Sequence, residues 1–84
     1  MSSQITMYSG DWCGDCRRSE RLMKSLGVKY DVIDVETVAG AAEKVREYNG
    51  GAQSIPVIVF SDGTHLTEPS DLQLTAKLKE LALI

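Results

Sequence analysis

The feature that most constrains the fold of this chain is the motif WCGDC at residues 12–16, which contains its only two cysteines. A short polar stretch, residues 9–11, precedes the motif, and a charged run that favours helix, residues 17–24, follows it. Such flanks are typical of a turn that leads from a strand into a helix. The motif therefore predicts a strand–helix corner with both thiols at the start of the helix.

The spacing of the two cysteines suits thiol–disulfide exchange. A helix N-terminus presents unpaired N–H groups and the positive end of the helix dipole, which favour the thiolate of Cys13. The acidic neighbours Asp11 and Asp15 oppose that thiolate, whereas the two arginines after Cys16 favour it. Residues three apart on a helix are neighbours, so one sulfur can attack and the other can resolve. We expect Cys13 to be the exposed nucleophile and Cys16, nearer the core, to be the resolving thiol.

Metal binding is the alternative use of two close cysteines. The motif supplies two ligands, whereas a structural zinc ion needs four. His65, the only histidine, is expected on a hairpin strand away from the helix. An iron–sulfur cluster that bridges two chains stays open. Two cysteines at this spacing in a β-α-β context favour redox chemistry, which is the leading interpretation.

The charge and hydropathy of the chain narrow its partners and location. The formal net charge of −3 argues against non-specific binding of nucleic acid and of an anionic membrane. No apolar run approaches the ~20 residues that span a bilayer. Residues 1–4 lack the charged start and apolar stretch of a signal peptide. We expect a cytoplasmic monomer with neither nucleic-acid nor membrane partners.

The apolar pattern predicts one domain over residues 1–84, with strands at residues 5–8, 28–35, 57–60 and 64–67. One helix is predicted directly after the cysteines, a second over residues 39–48 and a third from residues 69–71 onward. The sequence NGG at residues 49–51 ends the second helix. Alternation slips between Val32 and Ile33, which predicts either coverage of both faces or a bulge. The order β-α-β-α-β-β-α predicts a four-stranded mixed sheet flanked by three helices, which is an α/β, thioredoxin-like arrangement.

Several motifs resemble the glutaredoxin family, and most of all its actinobacterial branch, the mycoredoxins. The resemblance covers essentially the whole chain, and the downstream motifs are more specific to the branch than the cysteine pair. The motifs are YS at residues 8–9, WCG-x-C at 12–16, NGG at 49–51, IP at 55–56, SDGT at 61–64 and LT-x-PS at 66–70.

The resemblance implies reduction of mixed disulfides between proteins and a low-molecular-weight thiol, which is mycothiol in this branch. It implies that Cys13 attacks the small-thiol sulfur, releases the protein thiol and carries the adduct until a second small thiol frees it. Cys16 closes an alternative, dithiol path. The resemblance implies mycothiol as a co-substrate and no metal or organic prosthetic group.

Two single positions and one short stretch depart from the pattern of glutathione-using members of the family. Gly10 occupies the place of a common lysine, and the sequence TEPSD at residues 67–71 occupies the place of a Gly-Gly-x-x-Asp stretch. Both departures argue against glutathione and leave mycothiol open. Asp15 replaces an aromatic residue that normally packs on the adduct, so it is expected to change substrate affinity or to pair with a cationic group on a ligand or partner.

The loop before the third strand is expected to form the opposite wall of the site. In the thioredoxin-like fold this loop faces the dithiol and its proline is typically cis, so the backbone of Ile55 would offer its N–H and C=O to an extended substrate. Trp12 provides either packing or a docking surface. The residues expected to bind substrate are Trp12, Gly14, Asp15, Gln53, Ser54, Ile55, Pro56, Thr67, Ser70 and Asp71.

Three other functions compete with this interpretation. A thioredoxin-like electron donor to a protein would use both cysteines and a flavoprotein reductase. An iron–sulfur carrier would bind a cluster between two subunits. A binding module without enzymatic activity is compatible with any fold.

Overall fold

A four-stranded mixed sheet organises the computed structural model, which describes residues 4–84. The strands are β1 (Ile5–Ser9), β2 (Asp31–Asp34), β3 (Val57–Phe60) and β4 (His65–Thr67), and the helices are α1 (Gly14–Ser25), α2 (Ala41–Tyr48) and α3 (Asp71–Glu80). The strand order is β2-β1-β3-β4, with β1 and β2 parallel and the other pairs antiparallel. The thioredoxin-like prediction is confirmed. The N-terminal residues 1–3, on which the signal-peptide argument partly rests, lie outside the described residues.

Alternation along the central strands divides the core between the two faces of the sheet. Ile5 and Met7 of β1 pack with Ile58 and Phe60 of β3 on the face that α1 and α3 cover. On the other face Tyr8 packs with residues of α2 and with the partner strand; the buried residues there are Tyr8, Ala41, Val45 and Val57. The strand that leads into the cysteines is thus buried on both faces, which fixes the position of its carboxyl end.

The second strand differs from its prediction. It covers only residues 31–34, and its register with β1 runs without a break from Thr6 opposite Asp31 to Ser9 opposite Asp34. Val32 is 48% exposed because β2 lies at the edge of the sheet. Coverage of both faces and a bulge were therefore both wrong, and the slip in alternation reflects an exposed apolar residue on an edge strand.

Helix boundaries follow local capping chemistry. Ser70 caps α3: its hydroxyl accepts from the Gln73 N–H while the Gln73 side chain accepts from the Ser70 N–H. α2 begins two residues later than predicted because Gly40, with a φ of 81°, lies outside the helical region. Within residues 4–84 we find no helix with the length and apolar character that crossing a membrane requires.

Candidate active site

Cys13 is the N-cap of α1, and its sulfur takes the place of the usual capping oxygen. Its backbone is extended, with φ −88° and ψ 109°, and the helix begins at Gly14. The backbone N–H of Cys16 donates to Cys13 Sγ across 3.0 Å. One of the unpaired donors at the helix start therefore points at the sulfur, an arrangement that stabilises negative charge there.

The two thiols differ in burial. Cys16 is 1% exposed and Cys13 is 9% exposed, so the predicted order is confirmed, but the expectation that Cys13 is an exposed side chain was wrong. Burial raises the pKa of the Cys16 thiol to about 11, and its hydrogen bond with Cys13 acts in the same direction. Cys16 consequently keeps its proton at neutral pH.

The backbone of Ile55 lies against the reactive corner. The Cys13 thiol donates to the Ile55 carbonyl at a sulfur–oxygen distance of 3.8 Å. The Ile55–Pro56 peptide bond is cis, as the resemblance implied, and Pro56 is buried. The Ile55 N–H donates to no acceptor among residues 4–84. A carbonyl and an open N–H of one residue thus lie beside Cys13.

Asn49 supports the loop between α2 and β3, which contains Ile55, and the sequence did not indicate this role. Its side-chain amide donates to the Ser54 carbonyl at 2.8 Å and to the Ala52 carbonyl at 3.4 Å. Its side-chain oxygen accepts from the Thr67 hydroxyl at 2.6 Å. Asn49 ends α2 as predicted, and it also ties the loop to β4.

Arg18 joins the helix that carries the cysteines to the start of α3. Its guanidinium lies 3.1 Å from Asp15 and 3.5 Å from Asp71, and it donates to the Pro69 carbonyl at 3.2 Å. The acid between the cysteines is therefore paired. The hydroxyl of Ser70, a predicted binding residue, is occupied by its cap on α3.

Trp12 lies beside Cys13 and is 63% exposed. A side chain on Gly10 would collide with the indole, because a Cβ built there lies 2.4 to 2.9 Å from three of its ring carbons. The indole thus covers Gly10, and the missing side chain is what allows it to lie there. Gln53, a further predicted binding residue, is exposed on the loop.

Metal ligands do not gather in the part of the chain that the structure describes: it contains no group of three or more His, Cys, Asp or Glu side chains placed to hold an ion. Both cysteines are free thiols, with Cys16 held one helical turn beyond Cys13. The corner presents two sulfurs and the backbone groups around them.

A thiol pair at the start of α1, carried on a sheet of this topology, defines a thioredoxin-like redox protein. The glutaredoxin family model matches residues 5–66. The chain therefore belongs to the glutaredoxin family of thiol–disulfide oxidoreductases. Mycoredoxin 1 of Corynebacterium glutamicum is 42% identical over 81 residues, covering 95% of this chain and 99% of that protein. A Mycobacterium tuberculosis protein named as a glutaredoxin is 37% identical over 82 residues, covering 98% of each.

Solved structures agree with the family. The glutaredoxin of Archaeoglobus fulgidus superposes with a TM-score of 0.73 at 30% identity, covering 95% of this chain and 86% of that one. The Escherichia coli NrdH-redoxin, a glutaredoxin-like protein described as having a thioredoxin-like activity profile, superposes with a TM-score of 0.73 at 26% identity. That match covers 86% of this chain and 91% of the other.

Proposed function

We propose that this chain is a cytoplasmic, monomeric enzyme that reduces mixed disulfides between proteins and mycothiol. Cys13 is the nucleophile and Cys16 is the resolving thiol. The observation that carries the proposal is the Cys16 N–H bonded to Cys13 Sγ at 3.0 Å, because it stabilises the attacking thiolate of one cysteine specifically. The choice of mycothiol is supported by the 42% identity to a protein named mycoredoxin 1.

In the first step the Cys13 thiolate attacks the small-thiol sulfur of the mixed disulfide. A bond forms between Cys13 Sγ and that sulfur, the original S–S bond breaks, and the protein leaves as a thiolate that takes up a proton. The cysteine of the substrate protein is thereby reduced to a thiol. The disulfide now joins Cys13 to the small thiol. In-line attack requires the S–S bond of the substrate to be aligned with Cys13 Sγ, and we assign this positioning to the loop that faces Cys13.

The Ile55 backbone provides a docking edge for that substrate. Its N–H has no acceptor among residues 4–84, and its carbonyl is occupied by the Cys13 thiol across a long 3.8 Å contact. Ionisation of Cys13 removes the donated proton and frees the carbonyl. An extended peptide or an amide of the small thiol then pairs with both groups, as in strand addition.

Two routes complete the cycle. In the monothiol route a second mycothiol attacks the adduct, which gives oxidised mycothiol and regenerates the Cys13 thiolate. In the dithiol route Cys16 loses its proton, attacks Cys13 Sγ and expels mycothiol, which leaves a Cys13–Cys16 disulfide. Burial of Cys16 disfavours the thiolate that the dithiol route needs. We therefore propose the monothiol route as the main one.

The remaining contacts are proposed to surround the small thiol. The Asp15–Arg18–Asp71 cluster places charged groups of both signs beside the cysteine corner, and the Trp12 indole provides an apolar surface next to Cys13. The residues proposed to bind the mixed disulfide are Trp12, Gly14, Asp15, Gln53, Ser54, Ile55, Pro56, Ser70 and Asp71, and Thr67, whose hydroxyl donates to Asn49, is proposed to contribute through the loop and not by direct contact.

A comparison of reductants tests this proposal. Oxidised protein is given mycothiol, glutathione or a thioredoxin reductase with NADPH, and the Cys13–Cys16 disulfide is followed by mass. Mycothiol is expected to reduce it and to appear as an adduct on Cys13. Reduction by the reductase alone would contradict the proposal.

That last outcome would support the second candidate, a dithiol electron donor to a protein partner. The observation in its favour is the structural match to the Escherichia coli NrdH-redoxin, described as having a thioredoxin-like activity profile. The presence of Cys16 next to Cys13 provides the chemistry. The two candidates differ in whether Cys16 is needed for turnover.

A further inference from the structure

Residues 50–56 connect α2 to β3 without regular structure, yet they contain the backbone proposed to dock the substrate. Gly50 and Gly51 have φ values of 66° and 112°, a conformation that glycine adopts without strain. Two glycines at the start of a connection leave it with many accessible conformations. Something beyond the local sequence must therefore hold residues 52–55 in place.

Asn49 provides that constraint. Within residues 4–84, the backbone carbonyl groups of residues 52–54 accept two hydrogen bonds. Both come from the Asn49 side-chain amide. The shorter one, at 2.8 Å, ends on Ser54, the residue before Ile55. This bond thus holds the Ile55 carbonyl, 3.8 Å from Cys13 Sγ, from one side, and on the other side the Pro56 carbonyl accepts from the Glu68 N–H at 2.9 Å.

Thr67 holds the other side of that amide. Its hydroxyl donates to the Asn49 side-chain oxygen at 2.6 Å, while the amide nitrogen faces the Ser54 carbonyl. A rotated amide would instead place its oxygen against the Ser54 carbonyl, and two acceptors repel. Thr67 itself is held in β4, where it pairs with Val57 of β3.

A ring contact reinforces the same junction. Tyr48 directly precedes Asn49 in the chain, and His65 lies two residues before Thr67. The centroids of the Tyr48 and His65 rings are 4.9 Å apart. The end of α2 is therefore attached to β4 at two adjacent points. The Asn49 side chain projects from a fixed base, which is what a positioning residue requires.

We infer that Asn49 and Thr67 are positioning residues for the reaction, because they hold the Ser54–Ile55 backbone in the conformation that docks the mixed disulfide beside Cys13. This inference rests on the proposed function and deepens it. Neither side chain touches the reacting sulfur. They act on the substrate through the loop. Without them the loop would become ordered only on substrate binding, and that loss of conformational entropy would weaken binding.

The pattern of kinetic effects follows from this geometry. Thr67→Val removes the hydroxyl at nearly constant volume, and the loop then has to be ordered by the substrate. The half-saturating concentration should rise about fivefold, as expected for one lost hydrogen bond. The limiting rate of thiol attack should change little, because the Cys16 N–H still faces Cys13 Sγ.

The test uses single-turnover reaction of the reduced full chain with a short cysteine peptide carrying mycothiol as a mixed disulfide. Release of the peptide thiol is measured against peptide concentration for wild type, Thr67→Val, Thr67→Ser and Asn49→Ala. Alkylation of Cys13 by iodoacetamide, which needs no docking, is measured in parallel in Cys16→Ser backgrounds. Thr67→Ser keeps the hydroxyl and should restore the wild-type half-saturating concentration.

Thr64→Val is the matched control. It also removes a threonine hydroxyl that donates at 2.6 Å to a side-chain oxygen, that of Asp62, but it lies in the β3–β4 turn. It should leave both kinetic constants unchanged. The double variant Asn49→Ala/Thr67→Val should be no worse than Asn49→Ala alone, because Thr67 acts through Asn49.

Three outcomes are distinguishable. A raised half-saturating concentration with unchanged alkylation and rescue by serine supports the inference. An unchanged half-saturating concentration in Thr67→Val overturns it while leaving the proposed function intact, and so does an equal loss in the Thr64→Val control. Failure of the wild-type protein to release peptide thiol, with Cys13 still alkylated normally, contradicts the proposed function itself.

Discussion

The backbone N–H of Cys16 lies 3.0 Å from Cys13 Sγ, so the residue that carries the second thiol also holds the first sulfur at the helix start. The donor belongs to the main chain and the thiol to the side chain. The two contributions of Cys16 can therefore be separated by substitution, since serine removes the thiol and keeps the N–H.

Cys16→Ser should preserve attack by Cys13 and eliminate the intrachain disulfide. We expect its single-turnover rate with a mycothiol mixed disulfide to stay within about threefold of wild type, because a hydrogen bond contributes about 1 kcal/mol and the one from the backbone remains. Cys13→Ser should be inactive. Release of the protein thiol, followed by a chromogenic thiol reagent, measures both. Loss of multiple turnover in Cys16→Ser, with the first release of protein thiol retained, would instead favour the dithiol candidate.

The buried thiol of Cys16 should make the reduced protein less stable at high pH. Its pKa is raised from 9.0 to about 11, so in that interval the folded chain keeps a proton that the unfolded chain has lost. The folded state then binds more protons, and the free energy of unfolding falls as pH rises. Below pH 9 the Cys16 thiol is protonated in both states, so its contribution to the free energy of unfolding does not change with pH.

Urea unfolding at several pH values under reducing conditions measures that slope. Burial also raises the pKa of Tyr8 and of Tyr30, so the useful quantity is the difference between wild type and Cys16→Ser. Between pH 9.0 and about 11, the free energy of unfolding of Cys16→Ser should fall less steeply with pH than that of wild type. Parallel curves for the two proteins would mean that Cys16 ionises as easily when folded as when unfolded.

Gly10→Ala should move the Trp12 indole. A Cβ at residue 10 would approach ring carbons to 2.4 Å, and the exposed ring is free to swing outward. Because Trp12 is 63% exposed, we expect a stability cost below about 1 kcal/mol and a change in tryptophan emission. Trp12 is the only tryptophan, so the emission reports this site alone.

Gly14→Ala is the control for that spectrum. A Cβ at Gly14 meets nothing within 4 Å, and its backbone is already helical. Its emission should match wild type. If Gly10→Ala also leaves the emission unchanged, the indole does not rest on Gly10 in solution.

Leu78→Ala should destabilise the fold strongly, because Leu78 is fully buried in the cluster between the sheet and α3. Large-to-small substitutions at such positions cost about 2–5 kcal/mol. Leu72→Ala on the same helix is the matched control, since Leu72 is 82% exposed, and it should change stability by less than about 0.5 kcal/mol. Chemical unfolding compares the two, and similar values would contradict the packing of α3 on the sheet.

Local pattern was enough to predict most of the fold. The continuous apolar run at residues 57–60 is an interior strand, and its bounds agree with the prediction. The stripe through Cys16 and Met23 is the buried side of α1. These signals are local: alternation and helical periodicity report which face of an element is buried. The truncated second strand escaped prediction because edge position is a property of the sheet, which sequence alternation does not contain.

The sequence by itself determined the cysteine corner and its unequal members, because three-residue spacing on a helix and the free N–H groups at its start are local properties. The family resemblance implied that the loop with Ile55 faces this corner, but only the tertiary structure decided the contacts that enclose it. The Ile55 carbonyl beside Cys13 and the Asn49–Thr67 hydrogen bond join residues 42 and 18 positions apart in the chain. Such contacts depend on how strands and helices are placed against one another, and a single sequence carries no local signal for that placement.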